Sequence, residues 1–188
     1  MGEGNVRIAG NAGDAGHPMI RVLVHDRCQC DPKKCTAKRM VRFGIAKEVS
    51  IRAIPRSSVV LSPFAEQALS PADRVYAEKA ALVVMDLTWT NIDGFPKLKG
   101  MNERALPYLI ASNPVNWGRP AELNSAEAVA ASLIIMGAEE QASELIEKFG
   151  WGQEFLRING EMLSEYSKAG DSAGVIKVQN EYLDALRR

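Results

Sequence analysis

The sequence predicts an α/β protein with a mostly parallel sheet and a helical C-terminal third. The run ALVVM, from Ala81 to Met85, is almost continuously apolar, as strands buried on both faces of a parallel sheet are. Strand and helix patterns alternate over the first 111 residues or so, which is typical of βαβ units. Beyond Ser125 the apolar spacing is helical throughout.

Composition limits the number of domains, the charge and the location to be expected of the protein. The chain has 188 residues, 46% of them hydrophobic, which fits one large domain or two small ones with a real core. Positive and negative residues balance at 23 each, so any nucleic-acid surface must come from local clustering. No apolar run approaches the ~20 residues of a membrane helix. Residues 1–18 lack the profile of a signal peptide, so we expect a disordered leader and a cytoplasmic protein.

The first elements follow from apolar runs and their breakers. Met19 to His25 predicts the first strand, and a helix from about Ala37 to Phe43 is stopped by Gly44. Residues 45–54 are ambiguous between the end of a helix and a strand. Ser57 to Ser62 predicts another strand, which ends at Pro63.

A strong helix start comes next, with Ser70 at the N-cap, Pro71 at the first helical position and Asp73 at the third. This helix is expected to run to about Lys79 and to lead into the buried strand that begins at Ala81. Residues 90–102 then predict a long loop, and loops of that length are often functional.

The stretch from Leu106 to Ala131 is the one around which the chain is organised. Its apolar opening, 106–111, predicts a short buried strand, and a loop containing Asn113-Pro114 and Gly118 follows. A helix begins at Ser125. A strand, a polar loop and a capped helix place backbone amides beside a helix N-terminus, which is a usual ligand site in α/β proteins.

The remaining chain predicts helices that end at glycine. The expected spans are Ser125–Met136, Glu139–Phe149, Gln153–Lys168 and a last helix, capped by Asp171, to about Leu186. Gly150-Trp151-Gly152 is expected to pack these helices against one another rather than to bind a ligand.

Three features carry candidate chemistry. The cysteines Cys28, Cys30 and Cys35 invite an iron–sulfur or zinc site, but their spacing is not Cys-x2-Cys and no fourth cysteine exists, so cysteines that are buried or shape the loop are the preferred interpretation. Asp86, at a strand end, is either a ligand-facing carboxylate or a helix cap beside Trp89. A cluster of basic residues around Lys38 and Arg39 is, on pattern alone, most simply a solvated helix face.

Five segments, in this order, closely resemble the small-subunit ribosomal RNA aminocarboxypropyltransferases of archaea and eukaryotes. They are DRCQCDPKKCTAKRM, VVLSPFAEQALSPADR, VVMDLTW, LPYLIASNPVNWGRPAELNSAEAVAASLIIMG and KFGWGQEFLRING. The resemblance covers about Ile20 to Leu183.

The resemblance implies a fold similar to the SPOUT RNA methyltransferases, with a C-terminal trefoil knot, and a monomer. It implies an N-terminal α/β RNA-binding part over residues 19–80 and a knotted cofactor-binding part over 81–188. It also implies transfer of the 3-amino-3-carboxypropyl group of S-adenosylmethionine to N3 of an N1-methylpseudouridine in small-subunit rRNA during ribosome biogenesis.

The resemblance also implies roles for individual residues. Thr36, Met85, Asp86 and Trp89 match positions near the methionine end of the cofactor. Leu106 and Ala121 match positions whose backbone holds adenine, and Ser125 matches one at the helix start that lines the pocket. This chain has Leu87-Thr88 where Cys-Ser is common, and Ala121 where an aromatic residue is common, which could leave adenine less covered. No metal is expected.

Two hypotheses follow from the chemistry. Asp86 is the candidate base for the imide proton, although a carboxylate with its usual pKa near ~4 is a weak base for that task. The basic residues gain a second interpretation as phosphate contacts of the RNA; they are Lys33, Lys34, Lys38, Arg39, Lys97, Lys99, Arg104 and Arg119.

Three alternatives stay open on the sequence. The same cofactor and RNA would serve a SPOUT-type methyltransferase, which transfers the methyl group instead. A ribosome-assembly factor could retain the fold without catalysis. A metal-binding redox module could be built on the cysteine cluster.

Overall fold

The computed structural model describes residues 18–26, 35–86 and 100–187, and within them five strands form one parallel sheet. The order across the sheet is β2-β1-β4-β3-β5. All of its neighbouring strands run parallel, as the sequence predicts. The strands are β1 (Val22–Asp26), β2 (Ala46–Glu48), β3 (Val59–Leu61), β4 (Leu82–Asp86) and β5 (Asn102–Arg104).

The helices of the described residues dominate the C-terminal half. Two short 3-10 turns, Ile51–Ala53 and Pro71–Asp73, accompany them. The α-helices are α1 (Thr36–Arg42), α2 (Arg74–Lys79), α3 (Ser125–Ile135), α4 (Glu139–Ile146), α5 (Gly152–Lys168) and α6 (Ser172–Leu186). The predicted α/β class and the helical C-terminal third are therefore confirmed. None of these helices combines the length and the apolar character needed to cross a membrane.

Alternating side chains on the strands separate two cores. Leu82 and Val84 belong to the larger core, which includes residues from α1 and from α3 to α6. Val83 and Met85 belong to a smaller core on the opposite face, together with Ile54. Because both faces of β4 are covered, its sequence is continuously apolar, and this explains the pattern from which the strand was predicted.

Capping residues fix the helix boundaries close to the predicted positions. Ser70 and Asp73 form a reciprocal capping box at the start of the turn that leads into α2. The Asp171 carboxylate accepts a hydrogen bond from the Gly174 backbone N–H and begins α6. Gly44 and Gly137 follow α1 and α3 with φ values of 73° and 75°, a left-handed conformation that glycine adopts without steric cost.

The Gly150-Trp151-Gly152 segment packs helices together, as predicted. Trp151 lies against the larger core, with its ring 5.0 Å from that of Phe149. A Cβ at position 152 would overlap the backbone carbonyl of Ile146. Glycine is therefore required where α4 turns into α5.

The prediction of a strand at residues 106–111 is wrong. These described residues form only an isolated bridge, between Ile110 and Pro120. Side chains satisfy part of their backbone: Asn159 of α5 pairs with both the N–H and the C=O of Ile110, at 2.8 and 2.9 Å. Gln179 of α6 accepts from the Tyr108 N–H, and the Tyr166 hydroxyl donates to the Tyr108 C=O. This apolar run thus has the pattern of a strand, although helix side chains and the backbone of the following loop supply its hydrogen bonds.

The missing strand lies a few residues earlier. β5 pairs with β3 at residues that the sequence assigned to a loop or left unassigned, because NER carries no apolar pattern. Residues 87–99, most of the predicted long loop, lie outside the described residues. The ambiguous 45–54 segment contains β2 and a 3-10 turn.

The predicted boundary between two parts, at residue 80, falls inside this sheet. β4, which follows it, pairs with β1 and β3, which precede it. Side-chain hydrogen bonds also cross the boundary, since Gln141 of α4 binds both the N–H and the C=O of Ile20. The predicted leader, apart from its last residue, lies outside the described residues.

Tyr166 offers a pH-dependent test of how the 106–111 segment is held. Burial, followed by the neighbouring Tyr182 and Tyr108, raises the pKa of its hydroxyl. A raised pKa in the folded state stabilises the fold below the unfolded pKa of about 10, and this stabilisation is lost as the pH rises above it. Tyr166→Phe should therefore lower the unfolding free energy by about 1 kcal/mol at neutral pH, and the difference from wild type should shrink in alkali. Urea unfolding at several pH values measures the difference in unfolding free energy between the variant and the wild type.

The matched control is Tyr76→Phe, because the Tyr76 side chain is 42% exposed. This control should leave both the stability and its pH dependence unchanged. A Tyr166→Phe difference that stays constant as the pH rises would contradict the role of the buried hydroxyl.

Candidate ligand-binding site

A cavity of about 400 Å³ lies at the carboxyl edge of the sheet. The ends of β4 and β3 and the residues just after β5 form one side: Val84, Met85, Leu61, Ser62, Pro63, Ala105, Leu106 and Pro107. The other side comes from the chain that enters α3: Ala121, Leu123, Asn124, Ser125 and Ala128. Parallel α/β sheets bind ligands at this edge, so the predicted place for a ligand and the observed cavity coincide.

Four of the residues singled out from the sequence line this cavity together: Met85, Leu106, Ala121 and Ser125. They come from three segments that are far apart in the chain. Thr36 does not line the cavity; it is half-buried at the first position of α1. Trp89 lies outside the described residues.

Asp86 is the last residue of β4, directly after the cavity-lining Met85. In the strand register it is the partner of Asp26, the last residue of β1. Two aspartates thus end neighbouring parallel strands at the edge where the cavity lies. Asp26 was not singled out from the sequence. Its position at the end of a predicted strand was the signal that could have indicated it.

The wall formed by α3 depends on the carboxylate of Glu127, which is fully buried. Its Oε1 accepts hydrogen bonds from the Ser112 N–H and hydroxyl and from the Asn113 N–H, at 2.7, 3.0 and 2.9 Å. Its Oε2 accepts from the Asn113 side-chain amide at 2.6 Å and from the Asn124 N–H at 2.9 Å. Five donors therefore surround one carboxylate, which is what a buried charge requires.

Asn124 completes the same arrangement from the helix side. Its side-chain oxygen accepts from the N–H groups of Ala126 and Glu127, each at 2.9 Å. Asn124 and Glu127 thus form a capping box, with asparagine at the N-cap. The sequence predicted a helix entering at Ser125 but did not assign the capping residue or the role of Glu127.

Residues 112–123 form the segment between the extended chain and α3, which we name the 112–123 loop. The Asn113 side-chain oxygen accepts from the N–H groups of Val115 and Asn116, at 3.1 and 3.0 Å. The Asn116 side-chain amide donates to the Glu122 carbonyl at 2.9 Å. These side chains satisfy the turn internally, so the loop has a defined shape.

Ala121 has a left-handed backbone, with φ of 59°. Such a conformation is uncommon for a residue with a Cβ and is maintained only by its surroundings. Here the Ala121 N–H donates to the Leu109 carbonyl at 2.9 Å, and the Ile110–Pro120 bridge lies beside it. The strained residue is one that lines the cavity.

The cavity is lined mainly by apolar side chains, and its polar side chains already have protein partners. The Ser62 hydroxyl accepts from the Phe64 N–H at 3.3 Å, and the Asn124 oxygen caps α3. A site of this kind suits a flat or apolar ligand whose few polar atoms meet backbone groups.

The chain is similar to known proteins over most of its length. Over 168 residues the chain is 46% identical to the 16S rRNA aminocarboxypropyltransferase of Methanosarcina mazei, an alignment that covers 87% of this chain and 95% of the relative. The enzyme of the same name from Methanococcoides burtonii is 49% identical over 159 residues, with 82% and 90% covered. Residues 59–183 match the family described as "Ribosome biogenesis protein, C-terminal".

This chain belongs to the 16S rRNA aminocarboxypropyltransferase family. A solved structure of the family has the same fold: the SAM-dependent rRNA:acp-transferase Tsr3 from Vulcanisaeta distributa matches with a TM-score of 0.77. The two chains are 38% identical, with 90% of this chain and 97% of the other covered. The resemblance inferred from the sequence segments is confirmed.

Residues 20–52 also match a family described as "Possible Fer4-like domain in RNase L inhibitor, RLI". This region contains the cysteine cluster of the present family member. Cys35 is buried, and its sulfur caps α1 by accepting from the Lys38 N–H at 3.4 Å. Cys28 and Cys30 lie outside the described residues. Within the described ranges, no three His, Cys, Asp or Glu side chains gather as a metal site.

Of the eight basic residues predicted to contact RNA, four lie in the described part of the chain. Arg119 is exposed on the 112–123 loop, and Lys38, Arg39 and Arg104 are half-buried. Arg39 stacks over the Phe149 ring at 4.7 Å. Arg104 donates to the buried Asp73 carboxylate at 2.8 Å. Lys33, Lys34, Lys97 and Lys99 lie outside the described residues.

Glu127 provides a test of how this family member builds its cavity wall. Glu127→Gln keeps the size of the side chain but replaces one acceptor oxygen with an amide that faces donors. We expect the free energy of unfolding to fall by about 2 kcal/mol or more, since buried donors lose their acceptor. Urea denaturation measures this loss.

Glu122→Gln is the matched control on the same loop, because the Glu122 side chain is 44% exposed and its ion-pair partner, Arg119, is exposed as well. An exposed pair of this kind contributes little. Equal losses for the two variants would contradict the role of Glu127 as the buried anchor.

Proposed function

We propose that this protein transfers the 3-amino-3-carboxypropyl group of S-adenosylmethionine to N3 of a pseudouridine, methylated at N1, in small-subunit rRNA during ribosome biogenesis. The observation that carries the proposal is the cavity, which gathers Met85, Leu106, Ala121 and Ser125 in a chain of the aminocarboxypropyltransferase family. All four were singled out from the sequence as cofactor positions.

The residues fit the cofactor. A volume of about 400 Å³ is within the range of small-molecule sites. Adenine would lie against Leu106 and Ala121, and Ser125, at the first turn of α3, would lie beside it. The methionine end would extend past Met85 toward Asp86, with Trp89 and Thr36 completing that end.

S-adenosylmethionine supplies a sulfonium that activates all three attached carbons. In the proposed transfer, a bond forms between base N3 and the side-chain methylene carbon, and the carbon–sulfur bond breaks. The sulfur leaves as a neutral thioether, and the N3 proton passes to a base. The choice of this carbon over the methyl is a matter of geometry, because the reacting atoms must be held close and aligned. The cavity therefore has to present the methylene, not the methyl, to the RNA.

Asp86 is our candidate for the base. It ends β4 directly after the cavity, and Asp26 is its register partner on β1. A base at this position would take the imide proton as the bond between base N3 and the methylene carbon forms.

RNA contact is proposed for the eight basic residues, with Arg119 as the best placed of the described ones because its side chain is 63% exposed. Arg39 and Lys38 lie together on α1. Arg104 would have to leave its Asp73 partner to reach a phosphate, so its contribution would be the smallest of the four. Phosphate contacts of this kind position the substrate and do not select the base.

The finer aspects of the family resemblance are part of the same proposal. They comprise a SPOUT-like C-terminal trefoil knot, RNA binding by residues 19–80 and cofactor binding by residues 81–188 within the one sheet-containing fold, a monomeric state and a cytoplasmic location. The resemblance described above supports them. Light scattering after size-exclusion chromatography tests the monomeric state.

The function itself is tested with S-adenosylmethionine labelled separately in the carboxyl carbon and in the methyl group, with small-subunit rRNA as acceptor. We expect the carboxyl label to enter the RNA and the methyl label to stay out. Entry of the methyl label alone would make the protein a methyltransferase, and entry of neither would favour a non-catalytic assembly factor. Digestion of the RNA and mass spectrometry of the nucleosides then identifies the modified base.

Asp86→Asn tests the role of the candidate base. The variant should lower the rate of transfer by about 100-fold, the usual contribution of a general base, while the dissociation constant for S-adenosylmethionine stays close to that of wild type. Single-turnover transfer and calorimetric binding measure the two quantities. Asp184→Asn, on the exposed side of α6, is the control. Equal losses in transfer and in binding would show that Asp86 only holds the cofactor.

A further inference from the structure

The 112–123 loop exposes two large apolar side chains beside an arginine. Val115 is 79% exposed and Trp117 is 62% exposed. The Arg119 side chain on the same loop is 63% exposed. A tryptophan is usually highly buried, and neither the fold nor the cavity accounts for the exposure of this one.

The exposure does not come from a loosely held chain. The Asn113 side chain fixes the N–H groups of Val115 and Asn116, and the Gly118 N–H donates to the Ala111 carbonyl at 2.8 Å. Gly118 has a φ of 77°, which closes the turn directly after Trp117. The loop is tied in turn to the buried Glu127 carboxylate. An aromatic ring is thus held toward solvent on a preorganised turn.

The loop is continuous with the wall of the cavity. Ala121 lines the cavity four residues after Trp117, and the backbone between them is held by the Ala111–Arg119 and Leu109–Ala121 hydrogen bonds. An acceptor nucleotide that meets the cofactor at the mouth of this cavity would bring its neighbours in the RNA chain close to this loop.

We propose that Trp117 is a stacking platform for an unpaired base of the rRNA that flanks the modified nucleotide. Val115 adds apolar contact, and Arg119 binds an adjacent phosphate. This inference rests on the proposed function, and it assigns to the loop a part in holding the RNA rather than in the transfer itself.

The chemistry of the loop favours a nucleobase over a protein surface. Proteins recognise single-stranded RNA by stacking its unpaired bases on aromatic rings and arginine planes. One aromatic ring with a neighbouring cation matches one base with its phosphate, whereas a protein partner requires a much larger apolar patch. The Arg119 guanidinium is held at 3.2 Å by Glu122, and both side chains are largely exposed, so exchange of this partner for a phosphate costs little.

The test measures RNA binding and transfer separately. Trp117→Ala should weaken binding of a single-stranded fragment of the acceptor region by about tenfold or more, as the loss of one base–aromatic stack does. Its KM for the RNA should rise by a similar factor, while kcat and the dissociation constant for S-adenosylmethionine stay unchanged. Trp117→Phe should recover most of the affinity because it keeps a ring. Fluorescence anisotropy of labelled RNA gives the binding constants.

Tyr76→Ala is the matched control, since Tyr76 is an aromatic residue that is 42% exposed on α2 and does not line the cavity. It should bind RNA as the wild type does. Unchanged RNA affinity in Trp117→Ala would overturn the inference. So would a loss of S-adenosylmethionine binding in that variant, which would mean that Trp117 only supports the loop.

Two further outcomes separate this inference from the proposed function. If wild-type protein transfers no label and Trp117→Ala still weakens RNA binding, the inference stands and the proposed function fails. If Trp117→Ala affects transfer only on ribosomal particles and not on free RNA, the loop binds a protein, and the stacking inference is overturned.

Discussion

A buried carboxylate joins the parts that form the candidate site. Taking a carboxylate out of water costs several kcal/mol unless its oxygens are satisfied, and Glu127 is satisfied by five donors from residues 112, 113 and 124. The same side chain thereby fixes the start of α3, the entry to the 112–123 loop and the Asn124 cap. The cavity wall and the exposed loop are consequently one unit.

A second constraint holds the chain on the opposite side of that loop. The extended residues 106–111 have no neighbouring strand among the described residues. Asn159, Tyr166 and Gln179 provide the backbone partners of Tyr108 and Ile110, whereas Leu109 and Ala111 bond to the backbone of the 112–123 loop. The two C-terminal helices therefore position Leu106 at the cavity. This links the helical third of the chain to the ligand site, although α5 and α6 contribute no residue to the lining.

The elements that could be predicted from the sequence carry their signals locally. The helices were predicted from their capping residues and C-terminal glycines, and β4 was predicted from its continuous apolar run. These signals can be recognised because they reflect interactions within a few residues. It could not be predicted that 102–104 forms the strand and 106–111 does not, because the backbone partners that decide this are distant in the sequence. Residues 102–104 pair with β3, and Ile110 pairs with Asn159, 49 residues later. Met85, Leu106, Ala121 and Ser125 were singled out through the family resemblance, whereas the positions of Asp26 and Glu127 follow only from strand register and tertiary hydrogen bonds.

The lining of the cavity indicates what the chain requires at Ala121. The side-chain oxygens of Ser62 and Asn124 are used within the protein, and most of the remaining lining is apolar, so shape contributes much of what the cavity offers a ligand. What the fold must keep at position 121 is then the left-handed backbone conformation, with its hydrogen bond to Leu109, more than a particular side chain. The same reasoning applies to the choice between methyl and aminocarboxypropyl transfer. An apolar cavity does not change the reactivity of the three carbons on a sulfonium, so the outcome is determined by which carbon the walls leave open to the RNA.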